Sequence, residues 1–223
     1  MKLLFLSTTV LAYALAQPQM IPPDQGMMLD HTGTLRPVTG MAQTFTTGDA
    51  VQTGVLSASC AKSLCVIRTA DSNPPGPALI SIERDSALLY FLSTRQFARL
   101  RGGQLTMLDW SVAGEVLALR GEHIVVKRDG EVRVVTPAGA VLASLPPETT
   151  AALLLQGLTI YSTPDALVLS RPDGSESRFD VSGVTSLTQI GERYVQVTTA
   201  NSIYALRIEA GKEQIALLPG VRP

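Results

Sequence analysis

From Ala78 onward the chain alternates short apolar runs with polar breaks built on Gly, Asp, Asn and Pro. The runs are four to seven residues long and rich in Val, Ile, Leu, Tyr and Thr. Such runs predict strands, because a helix needs about ten residues free of this punctuation. The pattern also repeats. Val116–Pro146, Leu153–Val181 and Ser186–Pro219 align, each with four apolar runs. Their first turns carry Gly121, Gly157 and Gly191, at spacings of 36 and 34 residues. Their last turns carry Gly139, Gly174 and Gly211, at spacings of 35 and 37. A fourth copy, Ala78–Trp110, places Asp85 36 residues before Gly121 and Gly103 36 before Gly139. The middle turns register as well, at 93–96, 128–130, 163–165 and 199–201.

A fixed period of this length marks a repeat architecture. Arg128-Asp129-Gly130-Glu131 predicts a tight hairpin, since Asp-Gly tolerates the positive φ of a type I′ turn. In Arg171-Pro172-Asp173-Gly174, Pro presets the first turn position and Gly can turn left-handed. Each repeat is therefore expected to be an antiparallel four-stranded meander, over 78–113, 114–149, 150–183 and 184–220. Runs such as Leu153-Leu154-Leu155 and Val134-Val135 are apolar on both faces, which suits sheets covered on both sides. Radial stacking provides that cover. The expected fold is all-β and β-propeller-like: four regular four-stranded repeats of about 36 residues plus an irregular N-terminal β unit, giving four or five blades. An open solenoid or a double sandwich of the same hairpins is the competing arrangement.

The N-terminal part is less regular. Met1-Lys2, an apolar run of 13 residues from Leu3 to Leu15, and Ala14-Leu15-Ala16 predict a signal peptide over 1–16. That run reaches only about 20 Å as a helix, short of a bilayer's roughly 30 Å core. Residues 17–26 hold three Pro and read as a tether. Residues 27–77 read as two irregular hairpins, the second carrying Cys60 and Cys65, and form one domain with 78–223. Export makes the cysteines legible, because an even count in an oxidising compartment favours a disulfide. The expected address is secreted or periplasmic, with no membrane span once the signal is removed.

Composition narrows the classes of partner. The 223 residues are 45% hydrophobic, 5% aromatic and 17% charged, with a formal net charge of -1. A disordered chain would have fewer apolar residues, and nucleic acid needs clustered basic charge. Catalytic chemistry leaves no signature. His31 and His123 are the two histidines, expected in a turn and at a strand end. No G-x-S-x-G elbow and no D-x-D-x-D-G calcium loop occurs, and C-x4-C without a companion pair does not suit zinc. Gly102-Gly103 opens no helix, so it is read as a blade turn rather than a phosphate cradle. No catalytic residue, metal or cofactor is expected.

One arrangement carries a hypothesis. Arg95, Phe97, Arg99 and Arg101 fall on alternate positions, sharing one face if the segment is a strand. Such a face suits a carboxylate, a sulfate or an acidic protein surface; the competing reading is a solvated strand paired with neighbouring acids. The expected function is an exported non-catalytic binding or protein-interaction module with a protein or carbohydrate partner. The alternatives are an exported hydrolase or lyase on polysaccharide or peptide, drawing on Glu115, Glu122, Asp165 or Asp180, and a structural envelope component.

The four aligned repeats and the opening Leu29-Asp30-His31-Thr32-Gly33-Thr34-Leu35-Arg36-Pro37-Val38-Thr39-Gly40 together resemble uncharacterised exported bacterial β-propeller-like proteins. That resemblance spans roughly residues 27–220 and implies a fold without an activity. Other propeller signatures are missing. Trp110 follows Asp109, the reverse of a WD repeat; no S-x-D-x-G-x-T-W box occurs; and Gly-Gly appears once, unlike kelch blades.

Overall fold

A computed structural model describes residues 24–40, 44–61 and 64–218. The signal peptide expected over 1–16 and most of the tether expected over 17–26 lie outside the described residues. The described chain folds into twenty-one strands and no helix. The N-terminal part holds β1 (Asp24–Leu29), β2 (Leu35–Thr39), β3 (Thr46–Thr47), β4 (Val55–Ala61) and β5 (Leu64–Thr69). Four meanders follow. They are β6 (Ala78–Glu83) to β9 (Gln104–Leu108), with β7 (Ser86–Phe91) and β8 (Gln96–Arg101), and β10 (Glu115–Arg120) to β13 (Val141–Leu145), with β11 (His123–Arg128) and β12 (Glu131–Val135). Next come β14 (Ala151–Leu155) to β17 (Glu176–Phe179), with β15 (Leu158–Ser162) and β16 (Leu167–Ser170). The last is β18 (Val184–Gln189) to β21 (Gln214–Leu217), with β19 (Tyr194–Thr199) and β20 (Ile203–Arg207). Each meander is a four-stranded antiparallel sheet in sequence order.

The five first strands, β4, β6, β10, β14 and β18, contact one another in sequence, and β18 returns to β4. The protein is thus a five-bladed β-propeller with these strands around its axis. Each junction between blades has its own apolar seam. Leu88, Tyr90 and Phe97 meet Val116, Leu119 and Ile124. Val125 and Val132 meet Leu154 and Val168. Ile160, Leu167 and Leu169 meet Val195, Val197 and Leu206. Strands inside the blades are buried on both faces: Ile124, Val125 and Val126 are all at most 6% exposed. Covering both faces explains why hydropathy runs continuously instead of alternating. The outermost strands β9 and β13 are mostly exposed, because no further strand covers them.

The turns follow their residues. Asp129 and Gly130 sit at φ 52° and 80°, the pair of positive angles that a type I′ hairpin requires. Cys60 and Cys65 face each other across the β4–β5 hairpin and are joined by a disulfide.

The first blade is built in two pieces. β1–β2–β3 is a three-stranded sheet and β4–β5 a separate hairpin. β1 begins at Asp24, before the hairpin start expected at Met27. The three-stranded sheet wedges between the last blade and β4. Met28, Val38 and Phe45 pack on Ile190, Tyr194 and Ile203, with the Phe45 and Tyr194 rings edge-on at 5.4 Å. On its other side Leu35 meets Val55 and Ala58. Two contacts complete the ring. Met27 N–H donates to the Ile190 carbonyl at 2.9 Å. The Gln196 side chain accepts from Leu29 N–H at 3.0 Å and donates to its carbonyl at 2.7 Å.

Candidate functional site

The axial strands all start at one end of the ring and finish at the other, so the propeller has two unlike mouths. The finishing end opens into a cavity of about 930 Å³. It is walled by the last residues of the axial strands (Ala61, Glu83, Arg120, Leu155 and Gln189) and by the tight turns that follow them. Arg84 and Asp85 come from the β6–β7 turn, Gln156 from the β14–β15 turn, and Arg99 and Arg101 from β8. Four guanidiniums therefore share this mouth with Glu83, Asp85 and Glu192.

Two of the four are tied to acids. Arg120 Nε lies 3.5 Å from Glu83, linking two blades. Arg101 Nε lies 4.0 Å from Asp85, with both side chains largely exposed. An ion pair that open to water contributes at most about 1 kcal/mol. Among the described residues Arg84 and Arg99 have no ion-pair partner. Arg99 pairs across the sheet with Leu88 on one side and Thr106 on the other, so no carboxylate opposes it.

The strand over Gln96–Arg101 brings Arg99 and Arg101 to the mouth but leaves the other two members of the alternating set elsewhere. Phe97 is fully buried, packed against Tyr90 at 4.7 Å and Trp110 at 5.7 Å between centroids. It belongs to the seam between blades and is closed to a ligand. Arg95 precedes the strand, in the opposite-end turn at φ 56°, with its N–H on the Phe91 carbonyl at 2.8 Å. Sequence reasoning missed Arg84 and Arg120. The signal was the repeat phase itself, since first-strand ends of successive repeats must converge once the repeats close around an axis.

The opposite mouth holds about 420 Å³ and is of mixed character, with Leu29, Leu56, Leu79 and Leu117 beside Ser57, Thr150, Thr185 and Thr188. Asp30 and Glu115 are its acids. Asp30 makes a compact turn. Its Oδ1 accepts from Thr32 N–H at 2.9 Å, Thr32 Oγ1–H at 2.6 Å and Thr34 N–H at 2.9 Å; its Oδ2 meets Arg36 Nε at 3.3 Å. Burial pushes this carboxyl up, but the hydrogen bonds from Thr32, Thr34 and Arg36 outweigh it and hold it below the usual aspartate range. Leu35 and Val38 of the same motif are core residues. The Asp30–Gly40 motif is thus a folding element. His31 and His123 are exposed, at the β1–β2 turn and the start of β11. Glu122, Asp165 and Asp180 line neither mouth. Among the described residues no cluster of three or more His, Cys, Asp or Glu could hold a metal.

Fold and mouths together define a small five-bladed propeller with one arginine-rich opening and one of mixed apolar and hydroxyl lining. No family model matches this chain. No curated protein matches it either. Solved structures do. The bacterial surface component PorZ of the type-IX secretion system of Porphyromonas gingivalis superposes with a TM-score of 0.50 at 11% identity, covering 89% of this chain and 38% of that one. A chain of a nidogen/laminin complex gives 0.58 at 9% identity, covering 88% and 93%. Apo AztD from Citrobacter koseri gives 0.39 at 14% identity, covering 87% and 62%. This chain therefore spans well under half of PorZ. At these identities the likeness is one of fold alone. No helix among the described residues is long and apolar enough to cross a membrane.

Proposed function

We propose that this protein is an exported, non-catalytic binding module that takes its ligand at the arginine-lined mouth. The observation that carries this reading is the state of the acids there. Glycoside or peptide cleavage by acid and base asks for two carboxylates converging on one bond. At the charged mouth Glu83 is instead paired with Arg120 across two blades, Asp85 lies out in solvent 4.0 Å from Arg101, and Glu192 is the remaining acid of the lining. At the opposite mouth Asp30 is fully engaged by its own turn, which leaves Glu115 as a single carboxylate without a second acid free to work beside it. Export is supported by the signal-like N-terminus and by the Cys60–Cys65 disulfide, which suits an oxidising compartment. A rigid propeller presenting a concave rim is a common binding platform.

The test pairs a turnover screen with a binding screen on the full chain. Neutral and acidic oligosaccharides and unstructured peptides should pass through unchanged. At least one compound class should shift backbone amide resonances of Arg84, Arg99 and Gln189 in an NMR titration. Turnover that disappears in Glu115→Gln would replace this reading with the hydrolase one.

A further inference from the structure

We infer that the charged mouth binds a small molecule bearing two or more oxyanion groups, carboxylate or sulfate, gripped by Arg84 and Arg99. This deepens the binding-module reading and rests on it. Three observations converge. First, the mouth is concave, and about 930 Å³ is of the size that encloses a small ligand rather than a flat protein surface. Second, the chain as a whole is slightly acidic, at a formal net charge of -1, yet four guanidiniums gather here. Glu83 pairs with Arg120 and Asp85 lies near Arg101, while Arg84 and Arg99 have no ion-pair partner among the described residues; with Glu192 as the third acid, the four guanidiniums still outnumber the carboxylates of the lining. Guanidinium is the group whose forked donors fit carboxylate and sulfate oxygens. Gln156 adds a side-chain amide on the far side of the mouth, and Gln189, whose Nε2 already donates one hydrogen to the Gly191 carbonyl at 2.9 Å, has one N–H left to offer.

Third, Arg84 occupies a costly backbone position. It sits at φ 55°, where non-glycine residues are uncommon. Glu83 pairs with Ser86, and Arg120 with His123 in the next blade, so Arg84 stands where that blade has Gly121, at φ 53°. Glycine would turn this hairpin without strain. Arg95 and Asp129 share that φ, at 56° and 52°, but of the three only Arg84 lines the charged mouth, and it is the two facts together that point to a role for its side chain. That side chain is a cation on a residue that lines the mouth.

The test titrates the full chain with citrate, inorganic sulfate and the neutral trisaccharide cellotriose, reading amide shifts and calorimetric affinity. The variants are Arg99→Gln, Arg84→Gly and, as a control from the other end of β8, Arg95→Gln. Citrate or sulfate should bind at mouth residues, and which is tighter tells polycarboxylate from sulfate. Affinity should weaken with added sodium chloride. It should fall about tenfold or more in Arg99→Gln and Arg84→Gly, the scale of one hydrogen bond to a charged group. Arg95→Gln should bind as wild type. Arg84→Gly should also melt at or above the wild-type temperature, so that its lost affinity is not lost folding. The inference is overturned if neither anion moves the mouth resonances of the folded protein, or if Arg99→Gln binds both as wild type does. Cellotriose shifting those resonances while both anions fail overturns it but leaves the binding module standing. Turnover of any probe removes both.

Discussion

Gln196→Ala should open the ring. Gln196 is 4% exposed and lies on β19 of the last blade, where the corresponding strand of another blade carries Ile124 and Val125. Its amide presents one acceptor and one donor to the backbone of Leu29, 167 residues away, as a neighbouring strand would. It also donates to Thr198 Oγ1 at 3.1 Å. Alanine removes both backbone partners and supplies nothing in return. Each buried backbone group left unsatisfied costs about 1–3 kcal/mol, so about 3 kcal/mol is expected after water relieves part of the loss. For a domain of this size that is a fall in Tm of about 6–12 °C. Gln196→Glu should do no better, since a carboxylate accepts from the Leu29 N–H but repels its carbonyl.

Two assays separate this mechanism from general damage. Denaturant unfolding gives the total, and hydrogen exchange locates it. The amides of Met27 and Leu29 should exchange much faster, while those of β11 and β16, remote from the junction, keep their relative order. A Gln196→Ala protein within about 0.5 kcal/mol of wild type, with Leu29 as protected as before, would refute the closure mechanism; that margin is typical of a surface substitution.

Other perturbations test neighbouring claims. A Cβ on Gly26, at φ 125°, would lie 1.3 Å from the Ile190 carbonyl oxygen. Gly26→Ala should therefore cost about 3 kcal/mol or more, and combining it with Gln196→Ala should be much less than additive because both undock the same sheet. Replacing Cys60 and Cys65 by Ser should destabilise by about 2 kcal/mol for so short a loop, and a thiol assay on the native protein should find no free cysteine. Asp30→Ala should cost about 1–2 kcal/mol at neutral pH through the lost turn. Because the folded carboxyl titrates below its unfolded value, the stabilisation it gives is whole at neutral pH and lost as pH falls through the folded value. The gap between wild type and Asp30→Ala should close there in acid denaturation.

The repeat phase was legible because stacking constrains it tightly. Blades that must cover each other's faces need strands of matched length and turns at matched positions, and Asp129-Gly130 and the paired cysteines followed from local chemistry alone. The division of the N-terminal unit into a sheet and a hairpin was not legible. It depends on contacts such as Leu29 with Gln196, which no local pattern announces. The arginine face shows a different limit. Period-two arithmetic assigns residues to a face but does not say what covers that face along its length. At Phe97 the next blade lies over the sheet; further along β8, at Arg99 and Arg101, it opens into the mouth. Arg95 fell outside the arithmetic because its left-handed turn ends the strand before it.

The repeats also separate scaffold from site. Where the blades stack they keep one character: Leu88 and Tyr90, Ile124 and Val126, and Ile160 and Tyr161 are all buried and contribute to the seams. At the ends of the axial strands they diverge, into Ala61, Glu83, Arg120, Leu155 and Gln189. Stacking asks less of those five ends: Ala61 and Leu155 still pack at the edges of seams and Arg120 reaches Glu83 in the neighbouring blade, but all five also line the cavity. Turn chemistry does not ask for Arg at position 84, where Gly121 shows the cheaper solution. Residues that stacking alone does not dictate, gathered at one mouth, are where the binding proposed for this propeller would draw its specificity.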